Sequence, residues 1–272
     1  MIPAIEALIQ QYPKATIAVA FYDEATGEEV LIHASQPFHP ASTIKVAVMM
    51  EVYHQAWQGT LSLDERLPLT NEFKSIVDGS PFSMDSHEDS EPTLYQRLGQ
   101  NESIRELLRL MITMSSNFAT NLLLKRVTPR SVTAFIRSLG IQDILVIRGP
   151  EDNKAYALGL NNVASAGGLM RLLRELAAGR VVSSTASSEM IEVMLEQAFN
   201  EGIPAGLPAG MAVAHKTGWN EKLYHDAAIV FPTGRKPYIL VVMTQAIPLE
   251  QDAHTLVAAI SRRCYETITK QS

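Results

Sequence analysis

A serine and a lysine three positions apart are the first candidates for catalysis in this sequence. Ser42 and Lys45 lie in the string Ser42-Thr-Ile-Lys45, directly after Pro40-Ala41 and at the start of a predicted helix. Residues i and i+3 share a helix face, so the lysine amine can reach the serine hydroxyl. A neutral amine would take the hydroxyl proton and make Ser42 a nucleophile, while the N–H groups of the helix N-terminus would stabilise an oxyanion. Alone, the string is equally typical of a serine that only caps a helix.

A second string, Ser115-Ser-Asn117, precedes the helical run that begins at Phe118. A hydroxyl at this point could relay protons, and the Asn117 amide could hold a substrate carbonyl. The alternative is a second helix cap.

A third string, Lys216-Thr217-Gly218, lies at the end of a predicted strand. A cation and a hydroxyl could bind a substrate carboxylate there, and the glycine would leave room for close approach. The alternative is a strand that ends at a turn glycine.

Composition excludes several classes of protein. The chain has 272 residues, of which 46% are hydrophobic, and a formal net charge of −6. This apolar content can bury a large core, and the absence of a basic face argues against a nucleic-acid binder. No apolar run approaches the roughly 20 residues of a membrane span. The single Cys264 predicts a packing residue, and the histidines lack metal-ligand spacing, so neither a metal nor a cofactor is expected.

The start of the chain reads as a short amphipathic helix followed by a strand, without the features of a signal peptide. If Met1 is the native start, this predicts a cytoplasmic protein. Otherwise, the protein is exported and its leader has been trimmed.

Periodicity divides the chain into helices, strands and one long polar loop. The order predicts an α+β fold, with an antiparallel sheet built from both chain ends, flanked by terminal helices, and an inserted all-α domain. The expected domains are an α/β lobe formed by 1–41 and 201–272 and a helical lobe over 42–200. Predicted helices are 3–11, 42–58, 103–113, 117–126, 129–139, 165–178, 187–199 and 250–269; predicted strands are 15–22, 29–34, 211–217, 227–231 and 238–244; the loop is 71–102.

The order of the three strings resembles that of the serine penicillin-recognising enzymes, namely class A β-lactamases and D,D-peptidases. The resemblance is carried by the stretches 38–45, 112–124 and 214–218 and extends over most of the chain. It implies acyl transfer: attack on a strained amide, an acyl-enzyme, then hydrolysis.

The resemblance also implies a role for each matching residue. Ser42 would be the nucleophile and Lys45 the amine beside it. Ser115 would pass a proton to the leaving nitrogen, and Asn117 would hold the cleft and the substrate side chain. Lys216 and Thr217, beside Gly218, would bind the substrate carboxylate. The backbone N–H groups of Ser42 and Trp219 would form the oxyanion hole.

The sequence departs from the class A pattern in the middle string and in the loop before the third string. Ser116 stands where class A enzymes have an aspartate. The class A loop R-x-E-x-x-x-N carries the deacylating glutamate, but here Glu151 is one residue further from Arg148 and the asparagine is out of register. Glu151 could still activate the water, with Asp152 as a rival, or it could be a surface carboxylate.

Two further departures concern substrate binding. Many class A enzymes have an arginine where this chain has His225-Asp226. His225 is expected either to support the substrate carboxylate in part or to be structural. The 71–102 stretch is longer than the usual class A connection and could form a flap over the cleft.

Four functions remain open on the sequence alone. The first is a class A type β-lactamase, a monomer with a small β-lactam substrate and no nucleic-acid or membrane partner. The second is a D,D-peptidase or penicillin-binding enzyme, and the third is an esterase or amidase that uses the same serine and lysine on small acyl substrates. The fourth is a non-catalytic β-lactam sensor.

Overall fold

The computed structural model describes residues 1–220 and 222–270, so Glu221 and the last two residues of the predicted α/β lobe lie outside the described residues. The helices are α1 Ile2–Ile9, α2 Lys45–Trp57, α3 Ile104–Thr113, α4 Asn117–Val127, α5 Pro129–Ser138, α6 Asn153–Ala157, α7 Ala166–Ala177, α8 Ser184–Leu195 and α9 Glu250–Lys270. The strands are β1 Thr16–Asp23, β2 Glu29–Ile32, β3 Arg66–Pro68, β4 Phe73–Lys74, β5 Pro81–Phe82, β6 Asn101–Ser103, β7 Ile144–Leu145, β8 Val163–Ala164, β9 Ala212–Asn220, β10 Leu223–Phe231 and β11 Tyr238–Gln245.

Both chain ends contribute to one antiparallel sheet, as the sequence predicts. Its five strands run in the order β2-β1-β11-β10-β9. The N-terminal hairpin joins the C-terminal meander where β1 pairs with β11, from Thr16 opposite Gln245 to Asp23 opposite Tyr238. The α+β class is therefore confirmed, and β9, the strand that carries the Lys216 string, lies at an edge of the sheet.

Alternation along the strands gives the sheet two apolar faces. Ile17, Val19 and Phe21 of β1 pack with α1 and α9, whereas Ala18 and Ala20 join the cluster that continues into the helical block. Small alanines on the second face let α7 pack closely against β1, β10 and β11. This second cluster runs without a break from the sheet into the helices, so the predicted lobes share a core, and their boundaries remain a prediction.

Helix α2, which follows the turn that contains Ser42, is buried from its first residue. A 3-10 turn, Ala41–Ile44, leads into α2, whose residues Lys45 to Tyr53 are all buried. The helix ends just before Gly59, whose φ of +73° is accessible to glycine without strain. α2 therefore runs through the helical block as its central element, and it carries Lys45 into the interior.

Several predicted elements differ from the structure. The helix expected over 187–199 is α8, Ser184–Leu195, and the strand expected over 211–217 continues to Asn220. β10 begins at Leu223 instead of 227, because His225 and Asp226 are polar residues that the sheet buries with partners. The 71–102 stretch is not a simple loop: β4 and β5 form a hairpin, a 3-10 turn covers Pro92–Arg97, and β6 pairs with β3.

Residues 1–220 and 222–270 contain neither a candidate membrane span nor a candidate metal cluster. In these ranges no helix has both the length and the apolar character to cross a membrane. Nor does any cluster of three or more His, Cys, Asp and Glu side chains in them have a metal-binding arrangement.

The core position of α3 predicts a matched pair of stability effects. Leu107 of α3 is fully buried, whereas Leu195, at the end of α8, is 42% exposed. Leu107→Ala should lower the free energy of unfolding by about 2–5 kcal/mol, because it leaves a cavity in the shared core. Leu195→Ala should change it by about 0.5 kcal/mol or less. Urea denaturation of both variants measures the difference, and equal losses would contradict this packing.

Candidate active site

Ser42 lies where the start of the nucleophile helix meets the edge strand. It belongs to the 3-10 turn before α2 and follows Ala41, a non-glycine residue with a φ of +46°. A Cβ atom at Gly218 of β9 would lie 2.8 Å from the Ser42 nitrogen and 2.9 Å from the Thr43 nitrogen. Only glycine lets the strand backbone approach so closely. The glycine of the third string thus brings β9 against the first turn of the nucleophile helix.

Lys45 is buried and faces the second string. Its Nζ donates to the Ser115 carbonyl at 2.6 Å, to Asn117 Oδ1 at 2.8 Å and to Ser115 Oγ at 3.3 Å. Burial lowers the pKa of Lys45 to about 7, although Asp89 and Glu151 oppose the shift. A lysine with this pKa is partly neutral at physiological pH, as a general base must be.

Ser115 is shared by two buried lysines. Lys216 Nζ, from the third string, donates to the same Ser115 Oγ at 3.0 Å. Burial lowers the pKa of Lys216 well below its ordinary value, and the neighbouring Lys45 lowers it further, while Asp226 opposes the shift. Ser115 itself has a φ of +57°, a strained conformation that its neighbours must hold in place. The second and third strings therefore meet at one hydroxyl, which can pass a proton between them.

Thr217 offers a hydroxyl without a partner. Its Oγ1 is buried and makes no hydrogen bond to any described residue. An unpaired buried hydroxyl is costly unless a ligand or a water completes it. Its position next to Lys216 fits the anion-binding role that the resemblance implies.

Asn117 connects the lysine to the loop carboxylate. Its Oδ1 accepts from Lys45, and its Nδ2 donates to Glu151 Oε1 at 3.0 Å. Glu151 has a φ of +62° and follows Pro150. Burial raises the pKa of Glu151, and the charges of Asp89 and Glu88 raise it further, against the hydrogen bond from Asn117. A carboxylate with a raised pKa is a stronger base when ionised.

Asp152, the rival of Glu151, is engaged elsewhere. One oxygen accepts from the Ser75 hydroxyl at 2.8 Å and caps α6 through the Ala155 N–H at 3.1 Å. The other oxygen accepts from the Ile76 N–H at 2.8 Å. Burial raises the pKa of Asp152, but these hydrogen bonds outweigh it and leave the pKa below its ordinary value. Its environment therefore favours a structural function, in which it ties the loop to the 71–102 segment.

An asparagine holds together the two ends of the loop that carries Glu151, although the residue spacing of this loop differs from the class A pattern. Asn162 Oδ1 accepts from the N–H groups of Ile147 and Arg148, and its Nδ2 donates to the Arg148 carbonyl at 3.0 Å. The Arg148 guanidinium donates to Asn161 Oδ1 at 2.6 Å and to the Leu160 carbonyl at 2.9 Å. The two ends of the 148–162 loop are thus fixed to each other, and sequence spacing alone did not identify Asn162.

The environment of His225 argues against the expected part in substrate binding. The residue is fully buried, with Nε2 bonded to the His39 carbonyl at 2.9 Å and Nδ1 accepting from the Thr244 N–H at 3.1 Å. Burial lowers the pKa of His225 to about 4, so the ring is neutral and supplies no charge to an anion. It fits the structural alternative, in which it ties the sheet to the segment before Ser42.

One cavity joins part of this group, and its lining does not include Ser115, Lys216 or Thr217. It has a volume of about 200 Å³ and is lined by Ser42, Lys45, Asn117 and Glu151. Trp219 of β9 also lines it, with its ring against Phe199 at 4.8 Å between centroids. Ser42, Lys45 and Glu151 therefore line one space that a small molecule can enter, while the hydrogen bonds of Lys45 go to Ser115 and Asn117 instead of Ser42.

Sequence reasoning missed Asp89, which contacts the second string. Its carboxylate accepts from the Asn117 N–H at 3.1 Å and the Phe118 N–H at 2.8 Å. Nothing in the sequence distinguishes it from the other acidic residues of the polar 71–102 stretch.

Comparisons with known proteins agree with this arrangement. A family model described as the beta-lactamase enzyme family matches residues 2–268. The carbapenem-hydrolyzing beta-lactamase KPC of Klebsiella oxytoca is 28% identical over 268 residues, which cover 96% of this chain and 86% of that protein. Beta-lactamase L2 of Stenotrophomonas maltophilia is 26% identical over 263 residues, which cover 94% and 82%.

Solved structures give the same result. An ancestral class A β-lactamase matches with a TM-score of 0.82 and 26% identity, over 97% of this chain and 98% of that one. PBP-A shares the fold, with a TM-score of 0.83 and 24% identity over 98% of this chain and 94% of that one. The family match extends over nearly the whole chain, and so this protein belongs to the β-lactamase enzyme family and is a serine hydrolase of the class A type.

Proposed function

We propose that the protein is a β-lactamase that opens the β-lactam amide through an acyl-enzyme on Ser42. The observation that carries the proposal is the single cavity lined by Ser42, Lys45 and Glu151. Acyl transfer needs a nucleophile with a base for acylation, and turnover needs a base for the water that follows. Both bases line this cavity. All of its groups come from one chain, so we expect a monomer to suffice.

In acylation, neutral Lys45 takes the Ser42 proton, and Ser42 Oγ attacks the carbonyl carbon of the β-lactam. The backbone N–H groups of Ser42 and Trp219 would stabilise the oxyanion, because the turn that precedes α2 lies against β9. Collapse of the tetrahedral intermediate breaks the carbon–nitrogen bond. Ser115 gives its proton to the leaving nitrogen and is reprotonated from a lysine that contacts its oxygen.

The carboxylate of the substrate would bind at Lys216 and Thr217. The unpaired Thr217 hydroxyl is the group in this part of the site that lacks a partner among the described residues. An anion there would also stabilise the charged form of Lys216, whose pKa burial and Lys45 lower. Substrate binding would thus offset the free-energy cost of burying the charged form of Lys216.

In deacylation, Glu151 takes a proton from a water molecule that attacks the ester carbonyl. The Ser42–acyl bond breaks and the penicilloic-type acid leaves with the hydroxyl of the water. The proton that Glu151 took then passes to Ser42 Oγ, which restores both the serine hydroxyl and the carboxylate. Glu151 supports this step better than Asp152, because it lines the cavity whereas the carboxylate of Asp152 is occupied by Ser75, Ile76 and Ala155.

A chromogenic β-lactam in excess tests the function directly. Product formation beyond one equivalent per enzyme, with a transient adduct on Ser42 by intact mass spectrometry, is the expected result. One equivalent followed by a plateau would identify a penicillin-binding enzyme without a working deacylation base. No product and no adduct would overturn the proposal and favour an esterase.

Ser42→Ala should abolish both the adduct and the turnover, because it removes the hydroxyl on which the proposed acyl-enzyme forms. The free energy of unfolding of this variant should change by no more than about 1 kcal/mol, because a serine at the start of a helix contributes only that much stability. Ser62→Ala, an exposed serine on a loop, is the matched control and should retain full activity. Full turnover in Ser42→Ala would contradict the mechanism.

Glu151→Gln should let the acyl-enzyme accumulate, with deacylation slowed by about 100-fold or more, because the water loses its base. Asp152→Asn is the comparison variant: it should turn over without accumulating an adduct but unfold at a lower temperature. Mass spectrometry after rapid quenching measures the adduct. Accumulation in Asp152→Asn with normal turnover in Glu151→Gln would reverse the two assignments.

The rate of acylation should depend on the protonation of Lys45. The reactive form of this amine is neutral, so kcat/KM should rise as pH increases through about 7 and fall about tenfold per unit below it. Stopped-flow measurements from pH 5 to 8 give the profile. Lys45→Arg, which stays charged, should lack the rise and acylate very slowly at every pH. A flat profile in the unsubstituted enzyme would exclude Lys45 as the base.

A further inference from the structure

We propose that Asp89 is a positioning residue for the reaction: its carboxylate, on the 71–102 segment, fixes the first turn of α4 and thereby the catalytic geometry of Ser115 and Asn117. The inference rests on the proposed acylation at Ser42. It adds a residue that lies outside all three strings and is distant from them in sequence.

Asp89 supplies the acceptors that the start of α4 needs. Its Oδ1 accepts from the Asn117 N–H at 3.1 Å, and its Oδ2 accepts from the Phe118 N–H at 2.8 Å and from the Ser116 hydroxyl at 3.4 Å. The first N–H groups of a helix have no partner within it, and a negative charge at this end is favourable. The Ser116 hydroxyl accepts only the next N–H, that of Ala119, at 3.1 Å.

The carboxylate is itself held rigidly. Asp89 is 6% exposed and also accepts from the Tyr95 hydroxyl at 3.0 Å and from the Glu91 N–H at 3.1 Å. The Tyr95 ring stacks on Phe118 with centroids 4.7 Å apart. On the other side, the Ser90 hydroxyl donates to the Met114 carbonyl at 2.6 Å. The 85–95 part of the segment is therefore bound to the residues on both sides of Ser115.

The groups that Asp89 fixes are those that bind the catalytic amine. Ser115 has a positive φ, and its carbonyl accepts from Lys45 at 2.6 Å. Asn117 accepts from the same amine and donates to Glu151. A strained residue holds its conformation only while its surroundings enforce it. Loss of the Asp89 contacts would loosen the bonds that hold both Lys45 and Glu151.

Asp89 also acts through its charge. The charged groups that face Lys45 are Lys216, Glu151 and Asp89. Lys216 opposes the protonation of Lys45, whereas the two carboxylates favour it. Removing the Asp89 charge would therefore lower the pKa of Lys45 still further, and the acid limb of the kcat/KM profile would move to lower pH.

Asp89→Asn tests the proposal, because it keeps the volume of the side chain and removes its charge. We expect kcat/KM per active site to fall by about 10- to 100-fold, as for loss of a hydrogen-bond acceptor that is charged. We also expect the acid limb to move to lower pH, which a general loss of stability would not cause. Glu72→Gln is the matched control, with the same change of charge on an exposed residue of the same segment, and should alter neither quantity.

The double variant Asp89→Asn/Ser116→Asp moves the carboxylate to the neighbouring position. An aspartate at 116, the N-cap of α4, can accept from the Phe118 N–H, which Asp89 otherwise binds, or from the Ala119 N–H, and it keeps a negative charge at this helix end. It should recover kcat/KM to within about threefold of the unsubstituted enzyme, a factor worth about 0.7 kcal/mol. Recovery supports positioning by a carboxylate. If the double variant folds but stays as slow as Asp89→Asn, the proposal is wrong.

The outcomes separate the two proposals. Failure of the proposed function appears in the unsubstituted protein, as absence of turnover. In that case, amide exchange of Asn117 and Phe118 decides the role of Asp89: it should rise at both residues in Asp89→Asn and return at Phe118 in the double variant. Unchanged kcat/KM and an unmoved acid limb in Asp89→Asn would overturn the proposal. Failure of both variants to fold would also overturn it, because Asp89 would then serve folding alone.

Discussion

Two lysine amines share one serine hydroxyl inside this protein, and the rest of the site is arranged around that contact. Lys45 and Lys216 lie 3.3 and 3.0 Å from Ser115 Oγ, and both are almost fully buried. Two buried cations cannot both be fully protonated at low cost, because each raises the free energy of the other. Burial lowers the pKa of Lys45 to about 7, whereas both burial and the charge of Lys45 lower that of Lys216. In the proposed mechanism, the neutral form of Lys45 is the one that activates Ser42.

The scaffold holds this contact by close backbone approach and by carboxylates from distant segments. Gly218 lets β9 lie against the first turn of the nucleophile helix, where any side chain would push Ser42 away. Asp89 and Glu151, from two separate loops, raise the pKa of Lys45 and limit the effect of burial. The 71–102 segment therefore adds negative charge and hydrogen bonds to the site. Bonds from Asp152 to Ser75 and Ile76 hold the segment to the 148–162 loop.

Adjacent carboxylates in that loop illustrate how environment assigns function. Glu151 and Asp152 differ by one methylene and one position, yet burial and neighbouring charge raise the pKa of the first, whereas hydrogen bonds outweigh burial and lower that of the second. Three donors satisfy Asp152, so it stabilises the loop. Glu151 accepts from the Asn117 amide and from the Asp85 backbone, and it lines the cavity. The positive φ of Glu151 turns the two side chains in different directions, and a register rule read along the sequence does not capture this.

The sequence by itself determined the fold class and the strings around Ser42, Ser115 and Lys216, because these depend on local periodicity and short spacings. The family followed from the resemblance of those strings to a known pattern. A serine and a lysine at i and i+3 share a helix face in any context, and a glycine after a strand permits close approach wherever the strand lies. Only the tertiary structure decided that Asp89 reaches Asn117 across 28 positions and that His225 is buried with both nitrogens bonded. It also decided the basicity of Lys45. Burial and Coulomb interactions depend on which segments pack together, and the spacing of residues along the chain does not encode that directly.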